Sequence, residues 1–344
     1  MILVFTVCSN NYLAQAVILG KSLLIHNPNY TFKIGLVDKK NSQIDYSEIP
    51  FEIEEVEDID IPDFGDRILR YDIVELNTSV KPSYFKYFFS NEDIDAIIYL
   101  DPDIQVFAPY NDLEKELELC DIIITPHFCT PLNDDKWQAE EDFLNSGLYN
   151  LGFIAIKNTK NGNNMLNWWE ERLRTKAYID FKRGLFTDQI WINFVPLFFD
   201  KVKIFSNVGY NVAYWNLHER IISVQNGNYY INEKQPLIFY HYASFRPLNP
   251  DIISTGQKRF TFEDRPDIVP LFKNYCELVF KNGYESFIKI QCQYLEIKEN
   301  YEKHKLKEIK KNTPIYKRVI SKIINILIRK FRLVLDYSTL LSRD

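Results

Sequence analysis

Two aspartates one residue apart, Asp101 and Asp103, close the apolar run AIIYL and are separated by Pro102. A carboxylate pair at that spacing suits a hard divalent cation, because Mg²⁺ and Mn²⁺ take oxygen ligands, commonly one or two carboxylates together with substrate phosphates. The proline restricts the backbone between the two groups and helps to hold both. A plain turn would use Asp and Pro as well, each for a local reason, so the residues alone leave both readings open. Two other D-x-D strings calibrate the signal. Asp58-Ile59-Asp60 lies in the acidic run EEVEDIDIP, and Asp93-Ile94-Asp95 precedes its strand instead of following it.

The elements that would position such a pair are legible around it. Short runs rich in β-branched residues predict strands at Ile2 to Val7, Phe32 to Val37, Phe51 to Val56, Ala96 to Leu100, Ile104 to Phe107 and Ile122 to Thr125. Helical patterns fall between them, over Asn11 to His26, Asp66 to Leu76, Pro82 to Phe89 and Tyr110 to Leu119. That alternation predicts an α/β fold with a mainly parallel sheet flanked by helices. In such sheets ligands sit beyond the carboxyl ends of the strands, which is where Asp101 and Asp103 fall. LGFIAIKN reads as a further buried strand, followed by a helix over roughly Asn163 to Tyr178, a helix over TDQIWINFVPLFF and a strand at Val202 to Phe205. Pro236 to Tyr242 is a late strand that contains His241. From about residue 267 onward helical stretches dense in Lys, Glu and Tyr take over, broken at Pro314.

Composition narrows the function classes. With 344 residues, 46% hydrophobic and 15% aromatic, the chain has ample core material, and disorder is excluded for most of it. A net charge of −6 argues against a general nucleic-acid partner. Five scattered cysteines with no CxxC pair support neither a disulfide framework nor a zinc site, and fit a reduced, cytoplasmic setting. The opening MILVFTVCSNNY lacks a basic flank and a small-residue cleavage site, so it reads as a first strand and not as a signal peptide. No window reaches about 18 uncharged apolar residues, so no spanning helix is expected.

With its neighbours in view, KPSYFKYFFSNEDIDAIIYLDPDIQVFAP resembles the core of nucleotide-sugar glycosyltransferases of the GT-A fold, and is most similar to the family-8-like enzymes of bacterial polysaccharide synthesis. FTVCSNNYLAQAVILGKSLL resembles their first strand and nucleotide loop, IGLVD their second strand, YNLGFIAIKN their N-x-G strand, TDQIWIN their D-Q helix start and FYHYASFRP their late histidine motif. The ordered set covers about residues 1 to 250. It implies a GT-A catalytic domain over 1–266, with nucleotide-sugar binding over about 1–126 and the acceptor and donor-sugar side over about 127–266. A helical extension over 267–344 would follow.

The resemblance implies that Asp101, Asp103 and His241 ligate a Mn²⁺ or Mg²⁺ bound to the donor diphosphate. Ser9, Asn11, Tyr12 and Asp38 fall at nucleoside-contacting positions, and Lys86 stands where the family usually has an arginine. Asn150, Asp188 and Gln189 map to the donor sugar and the reacting centre. The plain alternatives are a satisfied core histidine for His241, a helix cap for Asn11 and for Asp188, packing for Tyr12 and a solvated helix face for Lys86. Three departures stand out. Ser9 occupies a position where relatives often place an Asp facing uracil, Ser244 replaces a glycine three residues after the histidine, and Arg246, a diphosphate ligand by position, arrives one residue early. The implied activity is metal-dependent transfer of a sugar from a nucleotide-diphosphate sugar, UDP-linked by expectation, to a glycan or lipid-linked glycan acceptor, with retention. The alternative is a catalytically inactive, carbohydrate-binding relative.

Two rival enzyme classes fit less well. A haloacid-dehalogenase-type phosphatase carries its D-x-D on the first strand, with Thr or Val at the fourth position after the first Asp, where this chain has Gln105. A sugar nucleotidylyltransferase would need a glycine-rich basic loop that CSNNYLAQ does not supply. Finally, from Lys303 to Arg332 there are eleven Lys or Arg against one acidic residue, Glu308. Within this stretch Tyr316, Val319, Ile320, Ile323, Ile324, Leu327 and Phe331 recur at helical spacing, which predicts an amphipathic helix over 315–335. Such a helix would either contact an anionic membrane surface peripherally or pack on the catalytic domain.

Overall fold

The structure, a computed structural model, describes residues 1–91 and 93–312. The chain divides into two compact units, Met1–Leu295 and Glu296–Asp344. The described part of the second is helical, belonging to the helix Gln293–Asn312, and there Lys303 pairs with Glu299 one turn earlier at 3.5 Å. The amphipathic segment expected over 315–335 and the break at Pro314 lie outside the described residues. No helix among the described residues is long and apolar enough to cross a membrane.

In the first unit the main sheet contains β1 (Ile2–Cys8), β2 (Thr31–Leu36), β3 (Glu52–Glu55) and β4 (Ala96–Leu100). Past the short strand β5 (Ile104–Val106) it adds β6 (Ile122–Pro126), β7 (Tyr149–Lys157) and β8 (Val202–Ile204). The order is β8-β6-β7-β4-β1-β2-β3, and every neighbouring pair is parallel except the two that β7 makes. Both faces are covered, as the near-continuous apolar runs require. Leu3, Phe5 and Val7 enter one core with Ile97, Tyr99 and Trp169, while Val4 and Cys8 enter the other with Ile98, Leu100 and Phe153. The opening residues are therefore the first strand, as their pattern predicts.

The helices include α1 (Leu13–His26), α2 (Ile73–Ser79), α3 (Lys81–Asn91) and α4 (Lys160–Lys176). Instead of one helix over Asp66 to Leu76 there are two, Phe64–Arg70 and α2. Tertiary contacts override the local pattern here. Tyr71 is pulled into the core, its hydroxyl donating to Leu173 O at 2.7 Å, and Asp72 restarts the chain with a capping box to Glu75 at 2.9 Å in both directions. The helix expected over TDQIWINFVPLFF is a 3₁₀ turn, Gln189–Phe194, followed by a short α-helix, Val195–Phe198. Pro196 lacks the N–H an interior helical position would donate, which accounts for the change of winding at that point.

Candidate active site

The carboxyl end of β4 fixes the first ligand candidate. The Asp101 backbone N–H donates to Gly152 O at 2.9 Å, and the Asp101 carboxylate accepts from the Tyr99 hydroxyl at 2.6 Å. The chain then turns through Pro102 into β5, which pairs antiparallel with β9 (Phe239–His241) in the register His241 opposite Ile104. That register, with Tyr242 N–H donating to Asp103 O at 2.9 Å, brings His241 beside the aspartates. His241 Nε2 lies 3.1 Å from Asp103 Oδ1 and 3.7 Å from Asp101 Oδ2. One donor atom from each of the three residues falls within 4.8 Å of the others, an oxygen and imidazole set that fits Mn²⁺ or Mg²⁺. Burial disfavours the imidazolium of His241, but the facing carboxylates of Asp103 and Asp101 outweigh it and raise its pKa. His241 is thus a buried histidine whose Nε2 is aimed at two carboxylates.

A second cluster abuts the first. Lys81, the first residue of α3, is fully buried, with its ammonium 3.0 Å from Asp188 Oδ2, 3.5 Å from Asp101 Oδ1 and 4.2 Å above the Tyr99 ring. It donates to Leu151 O at 3.0 Å. Full burial favours the neutral amine, yet the two carboxylates prevail and raise Lys81 above the ordinary lysine range. Burial also raises Asp188, whose single cation pulls the other way. The pair is unequal for that reason, one ammonium being held by two carboxylates. The Asp188 side chain makes no cap bond to the 3₁₀ turn that follows, so the capping alternative is set aside. Its predecessor Thr187 sits at φ 45°, a left-handed conformation that β-branched residues avoid and that costs on the order of 1–3 kcal/mol.

Asn150 and Gln189 lie on the same wall. Gln189 Oε1 accepts from Leu151 N–H at 3.1 Å and from Asn150 Nδ2 at 3.3 Å, while its Nε2 donates to Ser146 O at 2.8 Å. Both amides are buried and held by protein partners. Together with Lys81, Asp101, Asp103, Asp188 and His241 they line a cleft of about 430 Å³, at whose rim Arg246 is exposed. On one side the cleft meets a slot at the end of β1 lined by Ser9, Asn11, Tyr12, Asn77 and Thr78. On the other it shares Asn150, Gln189, Phe186 and Trp215 with a cavity of about 540 Å³ walled by Trp137, Phe181 and Tyr214.

Two expected residues do not reach the cleft. Lys86 is half-exposed further along α3, and its ammonium is 2.6 Å from Glu170 on α4, so the cation at the site is Lys81. The two lysines are five positions apart on one helix and face different directions. Asp38 is buried, with Oδ1 accepting from the Lys39 and Gln293 backbone N–H groups at 2.8 and 2.9 Å and Oδ2 from Asn10 Nδ2 at 2.8 Å. It braces the loop that carries Asn11 and Tyr12. Asn11 lies inside the 3₁₀ turn Asn10–Tyr12 and not at a cap position, and neither Ser9, which precedes that turn, nor Tyr12, which precedes α1, makes a side-chain cap bond. Ser9 Oγ donates to Val37 O and accepts from Asn77 Nδ2, both at 3.1 Å.

Ser244 adopts φ 57°, the left-handed conformation a glycine takes freely. A glycine at this position would hold the same backbone without strain. Ser244→Gly is therefore expected to leave the urea midpoint nearly unchanged, and Ser244→Val to cost about 1–2 kcal/mol. Equal midpoints for the two variants would mean that the conformation is not required.

Sequence reasoning missed Lys81, Asn211 and His127. The signal for Lys81 was its place at a helix start, where the macrodipole disfavours a cation unless carboxylates hold it there. Asn211 and His127 carry no local signal. Asn211 Oδ1 faces His241 Nδ1 at 3.3 Å, and His127 Nε2 faces Asn150 Nδ2 at 3.3 Å.

No family model matches the chain. Over 157 residues, 46% of this chain and 52% of the other, it is 26% identical to the uncharacterized protein YfnF of Bacillus subtilis (strain 168). The match thus spans about half the length of that curated relative. Among solved structures the chain is similar to the galactosyltransferase LgtC in complex with donor and acceptor sugar analogs, at 16% identity and a TM-score of 0.46, covering 82% of this chain and 96% of that one. It is also similar to the apo form of the glycosyltransferase GlyE of Streptococcus pneumoniae TIGR4, at 16% identity and a TM-score of 0.45, covering 85% of this chain and 65% of that one. A third similar structure is the bifunctional glycosyltransferase WbbM, at 15% identity and a TM-score of 0.47, covering 82% of this chain and 51% of that one.

Proposed function

We propose that the chain is a metal-dependent glycosyltransferase that moves a sugar from a nucleotide-diphosphate sugar, UDP-linked, to a glycan or lipid-linked glycan acceptor in the synthesis of a surface polysaccharide. The observation that carries this reading is the Asp101, Asp103 and His241 cluster at a strand end, set between the slot at the end of β1 and a cavity with aromatic walls. A bound Mn²⁺ or Mg²⁺ would supply Lewis-acid stabilisation of the leaving diphosphate.

The chain's own residues supply the rest. Ser9, Asn11 and Tyr12 line the nucleoside slot, and Lys81 contributes a fixed, desolvated positive charge beside the aspartates, where it is worth more than in water. Arg246 offers a second cation to the diphosphate from the rim. Asn150, Gln189 and Asp188 form the cleft wall at the donor-sugar end, held rigid by their own hydrogen bonds and ion pair. The wall of Trp137, Phe186 and Trp215 suits the apolar face of a sugar ring, which favours the acceptor on that side. Retention follows from the family resemblance, and no residue is assigned as nucleophile or general base.

Thermal stabilisation by a panel of nucleoside diphosphates, with and without Mn²⁺, tests the reading. A ligand at a hundred times its Kd stabilises by about 2.7 kcal/mol. UDP with Mn²⁺ is expected to give that shift, and UDP alone or a purine diphosphate much less. No shift from any nucleotide in the presence of Mn²⁺ or Mg²⁺ would reject donor binding.

A further inference from the structure

The site as proposed uses His241 Nε2, and that nitrogen can ligate a cation only through a lone pair, with the ring proton on Nδ1. We propose that Asn211 is the positioning residue that fixes His241 in this tautomer, as the middle link of a polar chain that begins at the backbone amide of Gly152. The proposal rests on the metal-site reading above.

Donor and acceptor roles follow one after another along the chain. The Gly152 backbone N–H can only donate, and it points at Asn150 Oδ1 at 3.0 Å. Asn150 therefore presents its oxygen on that side, where Asn211 approaches to 3.1 Å and must offer its Nδ2. The Asn211 oxygen is then left facing His241 Nδ1 at 3.3 Å, so Nδ1 carries the proton. Nε2 is turned to Asp101 and Asp103. The far end of the chain agrees. Asn150 Nδ2 donates to Gln189 Oε1 and to His127 Nε2, each at 3.3 Å. His127 Nδ1 donates to Leu148 O at 3.2 Å, and burial lowers this histidine to about 4, so it stays neutral and can accept.

Asn211 itself is wholly buried and held. Its φ of 53° is left-handed, and its carbonyl accepts from Asn216 Nδ2 at 2.9 Å. Gly152 makes the approach possible, because a Cβ there would lie 2.5 Å from His241 Cε1 and 2.8 Å from Asn150 Oδ1. Trp215 stands edge-on to the imidazole at 5.2 Å and limits its rotation.

The test is Mn²⁺ affinity of the full chain by calorimetry, for the wild type, Asn211→Gly, Asn211→Asp and Asp103→Ala. Asn211→Gly keeps the left-handed backbone and removes the amide, so about 10–100-fold weaker binding with an unchanged circular dichroism spectrum is expected. Asn211→Asp keeps an acceptor for Nδ1 but sets a second oxygen against Asn150 Oδ1, so it should recover only part of that loss. Wild-type affinity in Asn211→Gly overturns the proposal while a loss in Asp103→Ala still supports the metal site. A wild type that binds no Mn²⁺ overturns both. Should Asn211→Gly not fold, ¹⁵N spectra of the Mg²⁺-loaded wild type, with His241 assigned through His241→Gln, decide the matter. A proton on Nδ1 supports the proposal and one on Nε2 overturns it.

Discussion

Asp103→Ala is expected to lower metal-dependent release of UDP from a UDP-hexose donor by about 1,000-fold while moving the melting temperature by no more than a few degrees. Activity should fall that far because metal stabilisation of a leaving diphosphate is worth several kcal/mol, and each 1.36 kcal/mol is tenfold in rate. Stability should hardly change because Asp103 lies at the cleft, and its carboxylate contacts His241 in a site whose two aspartates also repel each other. Raising Mn²⁺ should not restore the rate. Near-normal turnover at saturating donor would return Asp101, Pro102 and Asp103 to the status of a turn.

Lys81→Met is expected to have the largest effect on folding of any single change at the site. It strands Asp188 and Asp101 around an apolar side chain, and breaking a buried ion pair from one side costs about 3–5 kcal/mol. For a chain of this size that corresponds to a fall of roughly 6–15 °C in melting temperature. The double change Lys81→Met with Asp188→Leu should regain much of this, since apolar groups of similar volume can replace a buried pair. Activity should stay lost in both, because the fixed cation is gone. The comparison separates the two roles of Lys81: a double variant as unstable as the single one would show that the ion pair is not what the lysine contributes to the fold.

The contrast between Lys81 and Lys86 also marks what the sequence can convey. Ala96–Leu100 was legible to the residue because an apolar run bounded by charges on both sides has one sensible reading, and the aspartates inherit their place from it. Which lysine of α3 faces the cleft depends on how α4 docks, since Glu170 captures Lys86, and no local pattern encodes that docking. Asp38 follows its strand closely, two residues past Leu36, yet its oxygens are taken by Asn10, Lys39 and Gln293, the last of them far along the chain. Asn211 is a single polar residue with no local pattern around it, and its role comes from Asn150 and His241, which the fold brings to it. By contrast, a three-stranded sheet over 222–236 was passed over although Asn226-Gly227, at φ 51° and 81°, carries the strongest short hairpin signal a sequence offers.

The pairing of β9 with β5 has a consequence in time as well as in space. His241 meets Asp103 only through an antiparallel pairing between strands far apart in sequence, a kind of contact that closes slowly and late. While the chain is being synthesised, from its amino end, the two aspartates emerge long before the histidine does. Until that late strand docks, a nascent or partly folded chain holds two carboxylates and no imidazole. Capture of a cation by all three residues would therefore be a clock for this protein, reporting the moment at which the pairing of β9 with β5 is complete.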